Sequence, residues 1–217
     1  RAAPATVFLV AVQDNRWRTA LGVIVSPQGV VISDSRLLSG VEKGQISAFL
    51  FDPSLAGDED PLLFLRAHKD QALPAQIVRM DAETHLLMLQ LPAAPGKKGH
   101  SYLDVVEVTG VNPGLDVLAL LTRGAQTLAM ASGTLETRRP DQIEVEPALG
   151  VESAGAPLVT MSGRLLGVCT FADKSVTASG VVRPTNVLRD LLAGKLGTTT
   201  VAPSTPAAPE SPSEAKN

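Results

Sequence analysis

Glu152-Ser153-Ala154-Gly155-Ala156-Pro157-Leu158-Val159 is the stretch on which the reading of this chain turns. Its third residue is alanine, which carries no group able to attack a carbonyl. Working outward, the apolar segments on either side alternate with turn signals in the manner of strands. Thr6-Val7-Phe8-Leu9-Val10-Ala11-Val12 is rich in β-branched residues and runs into the polar Gln13-Asp14-Asn15-Arg16, which predicts a first strand and a hairpin. Trp17 to Ile24 returns as a second strand, and Pro27-Gln28-Gly29 is the turn to a third apolar strand that ends near Ser33.

Composition bounds the answer. A chain of 217 residues that is 44% hydrophobic can bury a full core, and all-β folds of this length are often one domain. The net charge of −3, with basic residues scattered and not gathered in a patch, gives no electrostatic reason to bind nucleic acid. No apolar run approaches the roughly 18 residues that a membrane-spanning helix needs. Cys169 is the single cysteine and lies in the apolar run Leu165 to Cys169, so it reads as a small buried hydrophobe. His68, His85 and His100 are not at ligand spacing, and no H-x-x-x-H, H-E-x-x-H or C-x-x-C pattern occurs. The expectation is therefore no cofactor and no metal. The first residue, Arg1, reads as that of a processed form or fragment, which leaves room for an upstream signal peptide or anchor.

The opening stretch resembles the nucleophile loop of trypsin-like serine proteases of the HtrA/Deg family, G-N-S-G-G-P-L-V, whose reactive serine stands three residues before the proline. Ala154 holds that place. Upstream, Ile143 to Gly150 is similar to the family's I-Q-T-D-A-A-I-N. The second and third strands resemble its G-S-G-F-V-I-S-x-x-G-x-I-V-T hairpin, which ends in T-N-A-H-V-V. Here the hairpin ends in Ser33-Asp34-Ser35-Arg36-Leu37-Leu38, so Arg36 stands for the catalytic histidine. A guanidinium with a pKa above about 12 cannot serve as a general base near neutrality. Leu73 to Leu91 resembles F-P-A-K-V-V-G-x-D followed by P-R-T-D-L-A-L-L-K-I, and His85 corresponds to the orienting aspartate. Glu152 corresponds to the glycine whose N–H is one of two oxyanion donors, and a negative side chain there opposes a developing oxyanion.

The likeness continues through Val111 to Leu120, Ala131 to Leu135 and Gly163 to Val168, and covers about Thr6 to Leu196. Between its matching parts, Ile46 to Phe51 is read as a strand. Asp52 to Lys69 reads as an elongated surface loop with a short element at Leu62 to Leu65. Pro92 to His100 reads as a flexible connection. Val187, Leu188, Leu191 and Leu192 recur at helical spacing behind Thr185, which predicts an N-cap at Thr185 and an amphipathic helix to Leu196. Residues 198–217 are dominated by Thr, Ala, Pro, Ser and Glu and read as a disordered tail, with no PDZ domain following.

The resemblance implies an all-β, chymotrypsin/trypsin-like double six-stranded β-barrel over residues 1–197 with a short C-terminal helix. With Arg36, His85 and Ala154 in the triad positions, it implies a pseudo-protease: a non-catalytic module that binds a protein or peptide partner in a larger assembly, in the periplasm or envelope. Two other readings stand beside it. One is a serine endopeptidase with displaced residues, drawing on Ser153 or on Ser35, Asp34 and His85. The other is a metal-binding pseudo-protease centred on His85. Arg36 and Glu152, new charges at neighbouring family positions, either form an ion pair across the old cleft or are each solvated separately.

Overall fold

The computed structural model describes residues 2–14, 16–41, 44–55, 60–93, 99–108, 110–122, 128–171 and 180–196. Residues 198–217, read as a disordered tail, and part of the 92–100 connection lie outside them. Strands β1 (Thr6–Gln13), β2 (Arg16–Ile24), β3 (Val30–Asp34), β4 (Gln45–Leu50), β5 (Leu73–Asp81) and β6 (Leu86–Gln90) close a barrel in the order β1-β2-β3-β6-β5-β4. A second barrel, β10-β11-β12-β9-β8-β7, is formed by β7 (Asp116–Thr122), β8 (Leu128–Arg138), β9 (Ile143–Glu146), β10 (Pro157–Thr160), β11 (Leu165–Thr170) and β12 (Val181–Pro184). All the pairings are antiparallel. The chain thus has the chymotrypsin-like double-barrel fold that the resemblance implied.

The local chemistry accounts for the strand ends. At the β2–β3 turn Gly29 adopts φ +86°, a conformation that glycine reaches without a Cβ clash. That lets Val25 N–H reach Val30 O at 2.8 Å and starts β3 in register. The period-2 alternation of β1 then divides two cores. Val7, Leu9 and Ala11 point into the first barrel with Val31, Leu87 and Leu89. Phe8 and Val10 point the other way, into a cluster shared with Val117, Leu135, Ala156 and Leu158 of the second barrel. That cluster and a second one, which joins Val23, Ile32 and Met88 to Val159, Leu165 and Val168, hold the two barrels together.

Two expectations are corrected. The short element expected at Leu62 to Leu65 is helix α1 (Pro61–Ala67), which packs on the core where a surface loop was read; it is capped by Asp60, whose Oδ1 accepts from Leu62 N–H at 2.8 Å and Leu63 N–H at 3.3 Å. Its Phe64 is 1% exposed and meets Phe8 and Phe49 edge-on at 6.1 and 4.9 Å. An Asp-Pro cap before one aromatic anchor was enough to fold the loop onto the core. The terminal helix α2 (Thr185–Leu192) begins one residue earlier than expected, with Pro184 at the cap and no capping bond from Thr185. It stops at Leu192 because Gly194 takes φ +78° and ends the helix in the left-handed conformation. Arg79 of β5 donates to Leu191 O at 2.9 Å, tying this helix end to the first barrel.

Candidate functional site

The site lies in the seam between the barrels, where β2 and the end of β3 meet the loop before β10. That loop is a 3-10 turn, Val151–Ser153, followed by Ala154, Gly155 and Ala156. Three backbone bonds pin it: Leu21 N–H to Ala154 O at 2.8 Å, Gly155 N–H to Cys169 O at 2.9 Å and Cys169 N–H to Ala156 O at 2.9 Å. Gly155 is required here. Its φ is +76°, and a Cβ would fall on the carbonyl oxygen of Leu21 and within 2.7 Å of Ser33 Oγ. Ser33 Oγ itself donates to Leu21 O at 2.6 Å. Close packing of β2, β3 and the loop thus depends on two small residues.

Ala154 is buried, and its N–H donates to Val151 O at 3.2 Å, closing the 3-10 turn. Glu152 is exposed and folds back, its Oε1 lying 2.6 Å from where a Cβ on Gly150 would sit. Ser153 is fully buried; its Oγ donates to Gly150 O at 2.6 Å and lies 3.2 Å from Cys169 Sγ. A hydroxyl so enclosed holds the turn. Cys169 is buried as expected, and burial is the main reason its thiol is pushed up to about 12, against the lowering effect of the Ser153 hydrogen bond.

Asp34, read from the sequence only as a candidate member of a displaced catalytic set with Ser35 and His85, is instead a buried bridge. It has no exposure to solvent, yet its Oδ1 accepts from Arg36 N–H at 2.8 Å and its Oδ2 accepts from Phe171 N–H at 3.0 Å. Phe171 follows β11, so this carboxyl bridges the barrels. Burial raises its pKa to about 7, although the Arg36 and Phe171 N–H groups and the Arg36 charge all favour the ionised form. The signal in the sequence was an acidic residue at the end of an apolar hairpin, flanked by serines.

Arg36 follows Asp34 in the 3-10 turn Ser35–Leu38, and its guanidinium carbon stands 5.2 Å from the centroid of the Phe171 ring. His85 closes the β5–β6 turn at φ +59°, and its carbonyl accepts from Ser35 N–H at 2.9 Å. The hairpin end and the His85 turn are therefore neighbours. Arg183 of β12 donates through Nε to Thr84 O at 3.0 Å and through Nη1 to Asp141 O at 3.1 Å, spanning the seam a second time. Partial burial, reinforced by the Arg183 charge and opposed by Asp81, lowers the His85 pKa.

Of the two arrangements open for Arg36 and Glu152, the ion pair does not form. Ion pairs among the described residues join Arg183 to Asp141, Arg189 to Glu107 and Lys195 to Asp190. Arg36 turns to Asp34 and Phe171, where one residue supplies a nearby charge and the other an aromatic face, and Glu152 remains in solvent. The histidines are dispersed: His68 stacks near Phe64 at 4.6 Å, and His100 Nε2 lies 2.8 Å from Pro92 O. Among the described residues no group of three or more His, Cys, Asp or Glu could hold a metal ion, and no helix there is long and apolar enough to cross a membrane.

No family model and no curated protein matches the sequence. Among solved structures 567 chains match, so the likeness is to a populous fold. One of them is the apo form of the MamO protease domain from Magnetospirillum magneticum, similar at a TM-score of 0.66 and 20% identity over 88% of this chain and 96% of that one. A likeness at that identity carries the architecture and leaves function to be argued from the site: by its two closed six-stranded barrels this chain has the trypsin-like fold, similar to that protease domain.

Proposed function

We propose that this chain is a non-catalytic, HtrA-type pseudo-protease that binds an extended peptide or protein segment within a larger assembly outside the cytoplasm. Ala154 carries the reading. It occupies the loop that in an active enzyme presents the nucleophile, and a methyl group cannot attack a carbonyl. Arg36 and His85 stand where the general base and its orienting carboxylate would be, and Glu152 where the second oxyanion donor would be. The Ala154 N–H, the other donor of such a hole, is turned into its own 3-10 turn toward Val151. In a serine protease the triad is worth about 10⁶ in turnover, on the order of 8 kcal/mol, and the remainder depends on the oxyanion hole.

What survives is an open strand edge. In an antiparallel pair the N–H and C=O of one residue point to the same side, and alternate residues share a side. Leu21 directs its N–H to Ala154 and its C=O to Ser33 Oγ, away from β1. Thr19 points the same way, but β3 pairs with β2 only from Gly22 to Ile24. Among the described residues the outward N–H and C=O of Thr19 have no strand partner, so an extended peptide can add there by main-chain bonding.

The test combines chemistry and binding. A fluorophosphonate probe and a peptide cleavage assay should give no labelling and no turnover in the native chain, with an Arg36→His, His85→Asp, Ala154→Ser revertant as control. Covalent labelling of any serine of the native chain overturns the proposal. So does failure of extended peptides to bind the folded protein at millimolar concentration.

A further inference from the structure

The open edge of β2 carries a charge pattern of its own. Arg16 and Arg18 lie two residues apart on one strand and are both exposed, so they share a sheet face about 7 Å apart. They line a cleft of about 420 Å³ between the edge and the turn at Ser39, Gly40 and Val41. A second cleft of about 370 Å³ adjoins it, sharing Arg16 and Gly40, and there Asp14 is the lining carboxylate. The Arg18 fork is already oriented: Nε donates to Ser39 O at 3.1 Å and Nη1 to Trp17 O at 3.4 Å. A guanidinium held by two carbonyls keeps its remaining N–H groups aimed without further loss of rotamer freedom.

We infer that the segment bound along this edge is acidic, with carboxylates two residues apart facing Arg16 and Arg18 while its backbone pairs at Thr19. The inference rests on the peptide-binding reading above and adds the chemistry of the occupant. In an added antiparallel strand, side chains two apart stand on one face opposite residues two apart on the host. An alternating acidic pattern therefore matches the arginine spacing, and a lysine pattern meets like charge at both positions. The chain as a whole is negative at −3, so an acidic partner is repelled elsewhere and drawn to this edge.

Trp17 is the one tryptophan of the chain and lines the first cleft, so its fluorescence reports occupancy directly. The full chain is titrated with capped decapeptides of alternating Glu–Thr, Gln–Thr and Lys–Thr, read by Trp17 emission and by anisotropy of a labelled copy. The Glu–Thr peptide should bind at least about tenfold more tightly than Gln–Thr, the size expected for two partly exposed charge pairs. Arg16→Gln with Arg18→Gln should abolish that preference, so that Glu–Thr and Gln–Thr bind the double variant with equal affinity. Thr19→Pro removes an outward N–H that β1 does not use and should abolish binding of both, with circular dichroism checking the fold. Equal affinity for Glu–Thr and Gln–Thr, still lost in Thr19→Pro, overturns the acidic assignment and leaves peptide binding standing. No binding by any of the three removes both. Self-association of the chain that Thr19→Pro reverses would give the edge to a second copy and overturn the acidic peptide as its occupant.

Discussion

Replacing Asp34 by asparagine separates the shape of the inter-barrel bridge from its charge. The native carboxyl is fully buried and accepts one N–H from each barrel, and burial lifts its pKa from 3.8 to about 7. A group whose folded pKa is raised holds its proton more firmly in the folded state. Its stabilising contribution is therefore complete below pH 3.8 and is lost as the pH climbs through about 7. Three pH units at 1.36 kcal/mol each set the span of that loss at about 4 kcal/mol. Asparagine keeps one acceptor but turns its NH₂ toward the second N–H donor, at a fixed cost of about 1–3 kcal/mol that does not vary with pH. The variant should thus be less stable than the native chain at pH 4 and more stable at pH 8. Urea melts at unit pH intervals for both proteins give the difference curve, in which all other titrating groups cancel. A difference flat to about half a kcal/mol across that range would show that Asp34 is not the buried acid inferred here. A variant that loses ground as the pH rises would show that Arg36 outweighs burial.

Other substitutions test the packing around the same seam. Gly155→Ala should cost about 3 kcal/mol or more, since its Cβ falls on the Leu21 carbonyl at a positive φ; a urea midpoint within error of the native chain would contradict the close approach. Phe64→Ala, deleting a ring that is 1% exposed between Phe8 and Phe49, should lose about 3–5 kcal/mol, whereas a true surface-loop residue would lose almost nothing. Cys169, buried with its thiol pushed up to about 12, should react with a disulfide reagent at pH 8 at least about a hundredfold more slowly in the native chain than in urea. Equal rates would place the thiol at the surface.

Much of the fold was written into local patterns. Period-2 runs such as Thr6 to Val12, punctuated by Pro27-Gln28-Gly29, need only nearest-neighbour sterics and the burial of one face, so strands β1 to β3 could be read directly. The loop from Glu152 to Val159 was legible only through its resemblance to a family motif; the structure adds the backbone constraint its small residues answer, the positive φ of Gly155. The short element at Leu62 to Leu65 was legible but its burial was not, because the partners of Phe64 (Phe8 and Phe49) are distant along the chain, and no window around residues 52–69 contains them.

The amino-acid sequence alone determined which groups are present: no serine hydroxyl at 154, a guanidinium at 36, an imidazole at 85. Tertiary structure alone decided what those groups meet. Arg36 lies beside Asp34 and Phe171 and not against Glu152, because β11 brings Phe171 across the seam to a carboxyl 137 residues away. Among the described residues Thr19 has no strand partner on its outer side, because β3 pairs with β2 only from Gly22 onward. Strand pairing is a contest between long-range partners for the same N–H and C=O groups, and its outcome depends on closure of the whole barrel and not on the residues at the edge.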